Sequence, residues 1–350
     1  MQNKKKTILI IGSSPGHIGG VGIHLSRLVE NLRDLYNFDY VDESKTRLPN
    51  YYNLRSFNLL KYLKKVLHAD IVHIHSSTFF LRAFHIVICK LFFRKHIIVT
   101  IHHNPIVEGK FGNKVNTIVL PFCQKVIFVN KEGYNMFNLK KRKSRYLVFP
   151  AFIPPIIDKE KILPEGLLEW ILNKKKENYS IISSNAWKLV ISKGEDLYGI
   201  DMCIELMKAL LLKGEKCAFI FVLSNPKENV ELLNIYKQKI KDYQLYDVFL
   251  IWEDSISFVR LIQESDLIVR PTNTDGDALS IREALFLNKQ IVASDVVDRP
   301  EGTIIFHVRD NDDFCDKVSY ALKQGNVETS GNKIDYYLNF YRELYSQWTN

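Results

Sequence analysis

Short, nearly unbroken runs of Val, Ile and Leu alternate along this chain with longer stretches whose apolar positions recur every three or four residues. The first kind reads as strands buried on both faces and the second as the helices that cover them. In the first half the expected strands are 7–11, 71–74, 97–101 and 126–129, with a helix over 21–35. Three prolines fall within six positions at Pro150, Pro154 and Pro155 and mark a linker. Alternation restarts beyond it, with strands expected over 180–183, 217–223, 248–251, 267–269 and 290–293. Helices are expected over 200–213, 229–241, 256–264 and 280–287. The predicted fold class is α/β, with two doubly wound domains over 1–152 and 153–334. A terminal amphipathic helix over 335–350 is expected to pack back on the first domain.

Composition narrows this little: of 350 residues 46% are hydrophobic and 25% charged, which excludes disorder and coiled coil. The apolar stretch 78–93 is interrupted by Arg82, His85 and Lys90, too soon for a bilayer-spanning helix of about 20 residues. The start of the chain lacks the apolar core and cleavage site of a signal peptide, so the expected location is cytoplasmic. Five scattered cysteines without a Cys-x-x-Cys pair suggest reduced thiols rather than disulfides or a thiolate zinc site.

Charge changes the picture more. Residues 1–150 carry 24 Lys/Arg against 8 Asp/Glu, net +16, and residues 151–350 carry 24 against 31, net −7. A basic first half implies an anionic partner. The Phe- and Leu-rich segment 79–95 with its cations, and the cluster Lys140-Lys141-Arg142-Lys143 with Arg145, favour an anionic membrane surface. No nucleic-acid module is recognisable, so nucleic acid is not expected as a partner.

Chemistry is expected just after strands, at their carboxyl ends and between the domains. After the first strand, Gly16-His17-Ile18-Gly19-Gly20-Val21-Gly22 leads into a helix, a turn suited to bringing backbone N–H groups against a phosphate. It is not the Gly-x-Gly-x-x-Gly of dinucleotide binders, although Asp42 stands where a ribose carboxylate would follow. An NAD-dependent nucleotide-sugar epimerase or reductase therefore stays open, as does a non-catalytic nucleotide-sugar or nucleic-acid binding module. The Tyr-x-x-x-Lys pair of short-chain oxidoreductases is absent. After the strand at 267–269 come Arg270, Pro271, Thr272, Asp275-Gly276-Asp277-Ala278-Leu279-Ser280 and then Arg282-Glu283-Ala284. The amides from Gly276 to Ser280 open a helix and suit a phosphate, with carboxylates on either side for hydroxyls. Asp275-Gly276-Asp277 also permits a rival Asp-x-Asp metal reading.

Seven residues separate Asp275 from Glu283, and here the chain resembles the family 4 glycosyltransferases, in which two glutamates so spaced follow a strand. The resemblance extends in order through Gly19-Gly20-Val21-Gly22, Asp70-Ile71-Val72-His73-Ile74-His75, Thr100-Ile101-His102-His103 and Gly199-Ile200-Asp201. It implies a GT-B fold of two Rossmann-like domains and a retaining glycosyltransferase, UDP-sugars being favoured as donors, with no metal and no cofactor. The implied acceptor is a lipid-linked or oligosaccharide glycan in surface polysaccharide biosynthesis of the lipopolysaccharide, O-antigen or capsule type, met at the inner face of the plasma membrane. By resemblance Glu283 holds the nucleotide ribose and Asp275 the donor sugar. Gly19, Gly20 and Val21 face the diphosphate, and His102 or His103 lies at the reacting sugar. The family's usual Arg and Lys for the diphosphate are missing, and Lys188, Lys193, Arg270 or Arg282 are the candidate substitutes.

Overall fold

A computed structural model describes residues 5–17, 19–102, 108–137, 143–192, 194–325 and 334–348. The chain divides into two compact units, one of residues 1–153 with 333–350 and one of residues 154–332.

The first unit begins β1 (Thr7–Gly12), α1 (Gly20–Leu32), β2 (Asn37–Asp42), α2 (Leu59–His68), β3 (Ile71–Ile74), α3 (Phe79–Val87) and β4 (His96–Ile101). It continues with α4 (Gly109–Val119), β5 (Lys125–Phe128), α5 (Lys131–Met136) and β6 (Tyr146–Val148). A π turn, Ile88–Phe92, prolongs α3. The strands form one parallel sheet in the order β2-β1-β3-β4-β5-β6. Tyr62 and Val66 of α2, Ile86 of α3 and Val119 of α4 pack with the sheet in one buried cluster. Leu25, Leu28 and Leu32 of α1 pack in another, with sheet residues such as Ile8 and Ile10. Right-handed crossovers explain the division: β1 to β2 runs toward one edge and the later connections toward the other, so α1 lies opposite α2, α3 and α4.

The second unit holds α6 (Glu165–Lys176), β7 (Ser180–Ala186), a hairpin of β8 (Ile191–Ser192) and β9 (Glu195–Asp196), α7 (Ile200–Leu212), β10 (Cys217–Leu223), α8 (Val230–Asp242) and β11 (Phe249–Trp252). Then follow α9 (Phe258–Glu264), β12 (Leu267–Arg270), α10 (Leu279–Phe286), β13 (Gln290–Ser294), β14 (Ile304–Phe306) and α11 (Asn311–Gln324). Its parallel sheet has the order β11-β10-β7-β12-β13-β14. The last helix, α12 (Ile334–Ser346), belongs to the first unit, where Leu338, Tyr341, Leu344 and Tyr345 join the α1 cluster.

The expected strands form, several a residue or two from their expected ends, and β7 runs three residues further than its apolar run. Ser183 and Ser184 are polar but buried, and the Ser183 hydroxyl is satisfied by Ser265 Oγ at 2.7 Å, so polarity did not end the strand. Helix α1 stops at Leu32 rather than at residue 35, where the chain turns into β2. Helices α6 and α11 and strands β6 and β14 were not anticipated; β6 and β14 have only three residues each, too few for a period to show. All five cysteines are buried and unpaired. No described helix is long and apolar enough to cross a membrane. Most of the Lys140 to Arg145 cluster lies outside the described residues.

Gly199 shows how tightly the second unit is closed. It caps α7 at φ 71°, and a Cβ there would lie 2.2 Å from the Pro271 carbonyl oxygen. Asp196 Oδ1 accepts the Tyr198 and Gly199 amides at 2.9 and 2.7 Å beside it. Gly199→Ala is expected to destabilise by about 2–4 kcal/mol in denaturant unfolding, whereas Gly166→Ala, in open space on α6, changes stability by about 1 kcal/mol or less. Equal effects of the two substitutions would contradict the close approach.

Candidate functional site

In an open parallel sheet the binding crevice lies beyond the strand carboxyl ends where the strand order reverses. In the second unit that point falls between β7 and β12, and the loop after β12 holds Asp275. The Asp275 side chain is only 8% exposed and is gripped by two arginines. Arg270 donates from Nε to Oδ2 at 3.1 Å and from Nη2 to Oδ1 at 3.2 Å, a two-point contact, and from Nη1 to the Asn185 carbonyl of β7 at 3.5 Å. Arg299, itself 2% exposed, donates from Nη1 to Asp275 Oδ2 at 2.8 Å and from Nε to the Ser294 carbonyl at 2.9 Å. Thr272 Oγ1 and the Gly276 amide complete the set at 3.3 and 3.0 Å. Burial opposes ionisation of Asp275, but the Arg270 and then the Arg299 guanidinium outweigh it and hold the carboxyl at about 2. Tyr198 lies under the Arg270 guanidinium, 5.5 Å from ring centre to Cζ.

Beside this network Arg282 Nε donates to Asp277 Oδ1 at 2.6 Å. Each carboxylate of Asp275-Gly276-Asp277 thus faces a guanidinium, and among the described residues no group of three or more His, Cys, Asp and Glu is arranged to hold a metal ion. Ala278 precedes α10 and supplies no side-chain cap to the first amides of that helix. Glu283, within α10, is buried. Lys188, after β7, is half-buried and pairs with Glu228; Lys193 lies outside the described residues. Of the candidate cations, Arg270 and Arg282 join the carboxylate loop, and Lys188 is turned to another partner.

In the first unit the order reverses between β1 and β3. Gly12 ends β1 against His75, whose Cβ would be 3.0 Å from any Cβ at residue 12. His75 Nδ1 shares a 2.8 Å hydrogen bond with His102 Nε2 at the end of β4. His75 Nε2 is buried with no hydrogen-bond partner among the described residues. His73 shares hydrogen bonds with Thr100 at 2.9 Å and with Tyr345 of α12 at 2.8 Å, and His24 lies 3.4 Å from the Tyr341 hydroxyl. Burial pushes His24 and His73 down to about 3. His103 lies outside the described residues. Gly19, at φ 136°, and Gly20 both have open space where a side chain would stand, and Val21 packs at the edge of the α1 cluster. Asp42 does not present its carboxylate to a ribose: Oδ1 accepts the Ser14 and Ser44 amides at 3.3 and 3.1 Å, and Oδ2 accepts from Asn53 at 3.0 Å and faces His17 at 3.1 Å.

Arg299 is not among the cations that the sequence offers for this loop; its one local signal is an arginine a few residues beyond the end of β13. The buried His24, His73 and His75 were visible as residues, but not their convergence.

No family model and no curated protein matches the chain. Solved structures do. A glycosyltransferase from Rickettsia africae ESF-5 superposes with a TM-score of 0.72 at 15% identity, over 98% of each chain. HepE of Anabaena, solved with UDP, gives 0.70 at 14% identity over 91% of this chain and 90% of that one. The sucrose-phosphate synthase of Thermosynechococcus elongatus gives 0.67 at 13% identity, over 98% and 100%. The chain has the GT-B fold. In this GT-B chain the carboxylate loop and α10 occupy the carboxyl end of the second sheet, and the histidines that of the first.

Two outcomes follow for stability. Asp275→Ala leaves two guanidiniums uncompensated and is expected to cost about 3–5 kcal/mol at neutral pH. Because the folded carboxyl is depressed, its contribution is present above the ordinary 3.8 and is lost as pH falls toward about 2, so the wild-type advantage over Asp275→Asn shrinks across that window. A constant difference between the two proteins there would refute the ion-pair account. His73 is lowered, so the unfolded chain takes its proton first and stability falls as pH drops from 6.5 toward about 3. Replacing it by Gln should flatten that decline by about 1 kcal/mol per pH unit, read from denaturation midpoints.

Proposed function

We propose that this chain is a retaining glycosyltransferase that moves a hexose or N-acetylhexosamine from a nucleoside diphosphate sugar to a lipid-linked glycan, in surface polysaccharide assembly. The observation that carries the reading is the Arg270–Asp275–Arg299 network beside the start of α10, which its N-cap residue Ala278 leaves uncapped, and the buried Glu283, at the strand reversal of the second unit. A diphosphate needs cations and aligned N–H donors, and this loop has both.

In this reading Glu283 accepts from the ribose hydroxyls, and the α10 amides with Arg270 and Arg299 meet the diphosphate. Asp275 holds those two guanidiniums side by side against their mutual repulsion. It stays anionic at every physiological pH, so it accepts hydrogen bonds and does not act as an acid. His102, oriented by His75, stands for the sugar side of the reaction in the first unit. Catalysis rests on positioning and on stabilising the departing diphosphate, without a metal ion. The UDP complex of HepE, and its complex with UDP-glucose, support a UDP-sugar as donor. The excess of cations in the first half supports an anionic, lipid-linked acceptor met at the inner face of the membrane. The occupied Asp42 carboxylate speaks against the dinucleotide-dependent alternative.

The test is thermal shift and donor hydrolysis with UDP-, GDP-, ADP- and CMP-sugars, with and without EDTA, on wild type, Glu283→Ala and Arg299→Ala. One donor is expected to stabilise the protein in the presence of EDTA. Each substitution is expected to weaken that donor by about tenfold to a hundredfold, the worth of a hydrogen bond to a charged group. No response to any donor, or one indifferent to Glu283→Ala, would sink the reading.

A further inference from the structure

We infer that the outer face of the α2, α3 and α4 layer of the first unit docks on an anionic lipid bilayer. The inference takes the lipid-linked acceptor reading as its purpose, yet rests physically on this surface alone. Each of the three helices, α3 together with its π turn, points large apolar side chains to solvent: Leu60 and Leu67 are 74% and 57% exposed, Phe80 and Leu91 71% and 66%, Phe111 and Ile118 72% and 60%. On α2 the spacing Leu60, Lys64, Leu67, and on α4 Phe111, Lys114, Ile118, places a cation between two apolar tips on one helical stripe. Helices α1 and α12, on the opposite face of the sheet, show no such stripe among their described side chains, where Tyr336 is the one large hydrophobic that is strongly exposed.

The charge on this layer has one sign. Lys61, Lys64, Arg94, Lys110 and Lys114 are exposed, and between residues 59 and 122 the acids are Asp70 and Glu108 alone. Both are engaged elsewhere: Asp70 accepts the Thr7 amide at 2.8 Å, and Glu108 pairs with the fully buried Arg82 at 3.1 Å. No acidic side chain therefore neutralises the outward cations from within the layer.

The layer is also stiff where α3 meets α4. Arg82 Nη1 donates to Asn116 Oδ1 at 2.8 Å, joining the two helices through Glu108 as well. Gly112 lets them approach, since a Cβ there would lie 2.8 Å from the Phe79 ring. Phe79 in turn meets Phe111 edge to face, 5.8 Å between centres. Apolar tips held out by a firm scaffold and rimmed by cations match an interface of acyl chains beneath anionic headgroups. A nucleic acid would use the cations but leave protruding Leu and Ile in water. A second copy of the same face would bring like charges together. A bilayer satisfies both sets of side chains at once.

The experiment is cosedimentation of the full chain, without donor or acceptor, with vesicles of phosphatidylcholine alone or doped with phosphatidylglycerol. The variants are Lys64→Glu with Lys114→Glu, and Phe80→Ser with Phe111→Ser; Arg33→Glu, on the opposite layer, is the control. All five positions are exposed, and unchanged thermal unfolding verifies folding. Wild type and control are expected to bind the doped vesicles and not the neutral ones, and each double variant to bind them about tenfold or more weakly. The inference is overturned by wild type ignoring the doped vesicles, by equal binding to neutral ones, by double variants that bind like wild type, or by equal retention on duplex DNA or polyglutamate. Vesicle binding in a protein that answers to no nucleotide sugar would leave this surface standing while the donor reading fell.

Discussion

One buried carboxylate organises the second unit's candidate site. Asp275 stands at the carboxyl end of the strand where the sheet order reverses, and it holds two guanidiniums that would otherwise repel each other in a poorly hydrated place. Those arginines in turn fix the surrounding loops: Arg270 reaches the end of β7 through the Asn185 carbonyl, and Arg299 reaches the end of β13 through the Ser294 carbonyl. Three strand ends are thus tied to one anion. Because breaking a buried ion pair costs far more than the intact pair contributes, the arrangement is a constraint on geometry more than a source of stability.

The first unit solves a comparable problem with neutral groups. His73 and His24 lie in its core, uncharged, and share hydrogen bonds with Tyr345 and Tyr341 of the last helix. A helix from the far end of the sequence thereby becomes part of the wall behind His75 and His102. Buried polar groups that satisfy one another specify a single docking of that helix, which apolar packing alone specifies less sharply.

The two faces of the first sheet carry different chemistry. One is covered by α1 and α12 and closed around aromatic rings; the other is covered by helices whose solvent side mixes Leu, Phe and Ile with Lys and Arg. On that second face the net charge of the first half becomes a surface of mostly one sign, because the layer's two acids, Asp70 and Glu108, are held in bonds to the Thr7 amide and to Arg82.

By itself the sequence determined the class of fold. Runs of Val, Ile and Leu are strands because parallel strands under two helical layers have no polar face, and that periodicity needs no tertiary information. It also singled out the loop of Asp275 and the helix of Glu283, since a strand, a turn and a helix are local. Short elements such as β6 and β14 were not legible, having too few residues for a period, and β7 was cut short by serines that the sheet satisfies. The tertiary structure alone decided the partners: Arg299 with Asp275 across 24 positions, Tyr345 with His73 across 272, and three separate helices with one outward face. Charge and hydrogen-bond partners are chosen by proximity in space, and sequence distance carries no record of it.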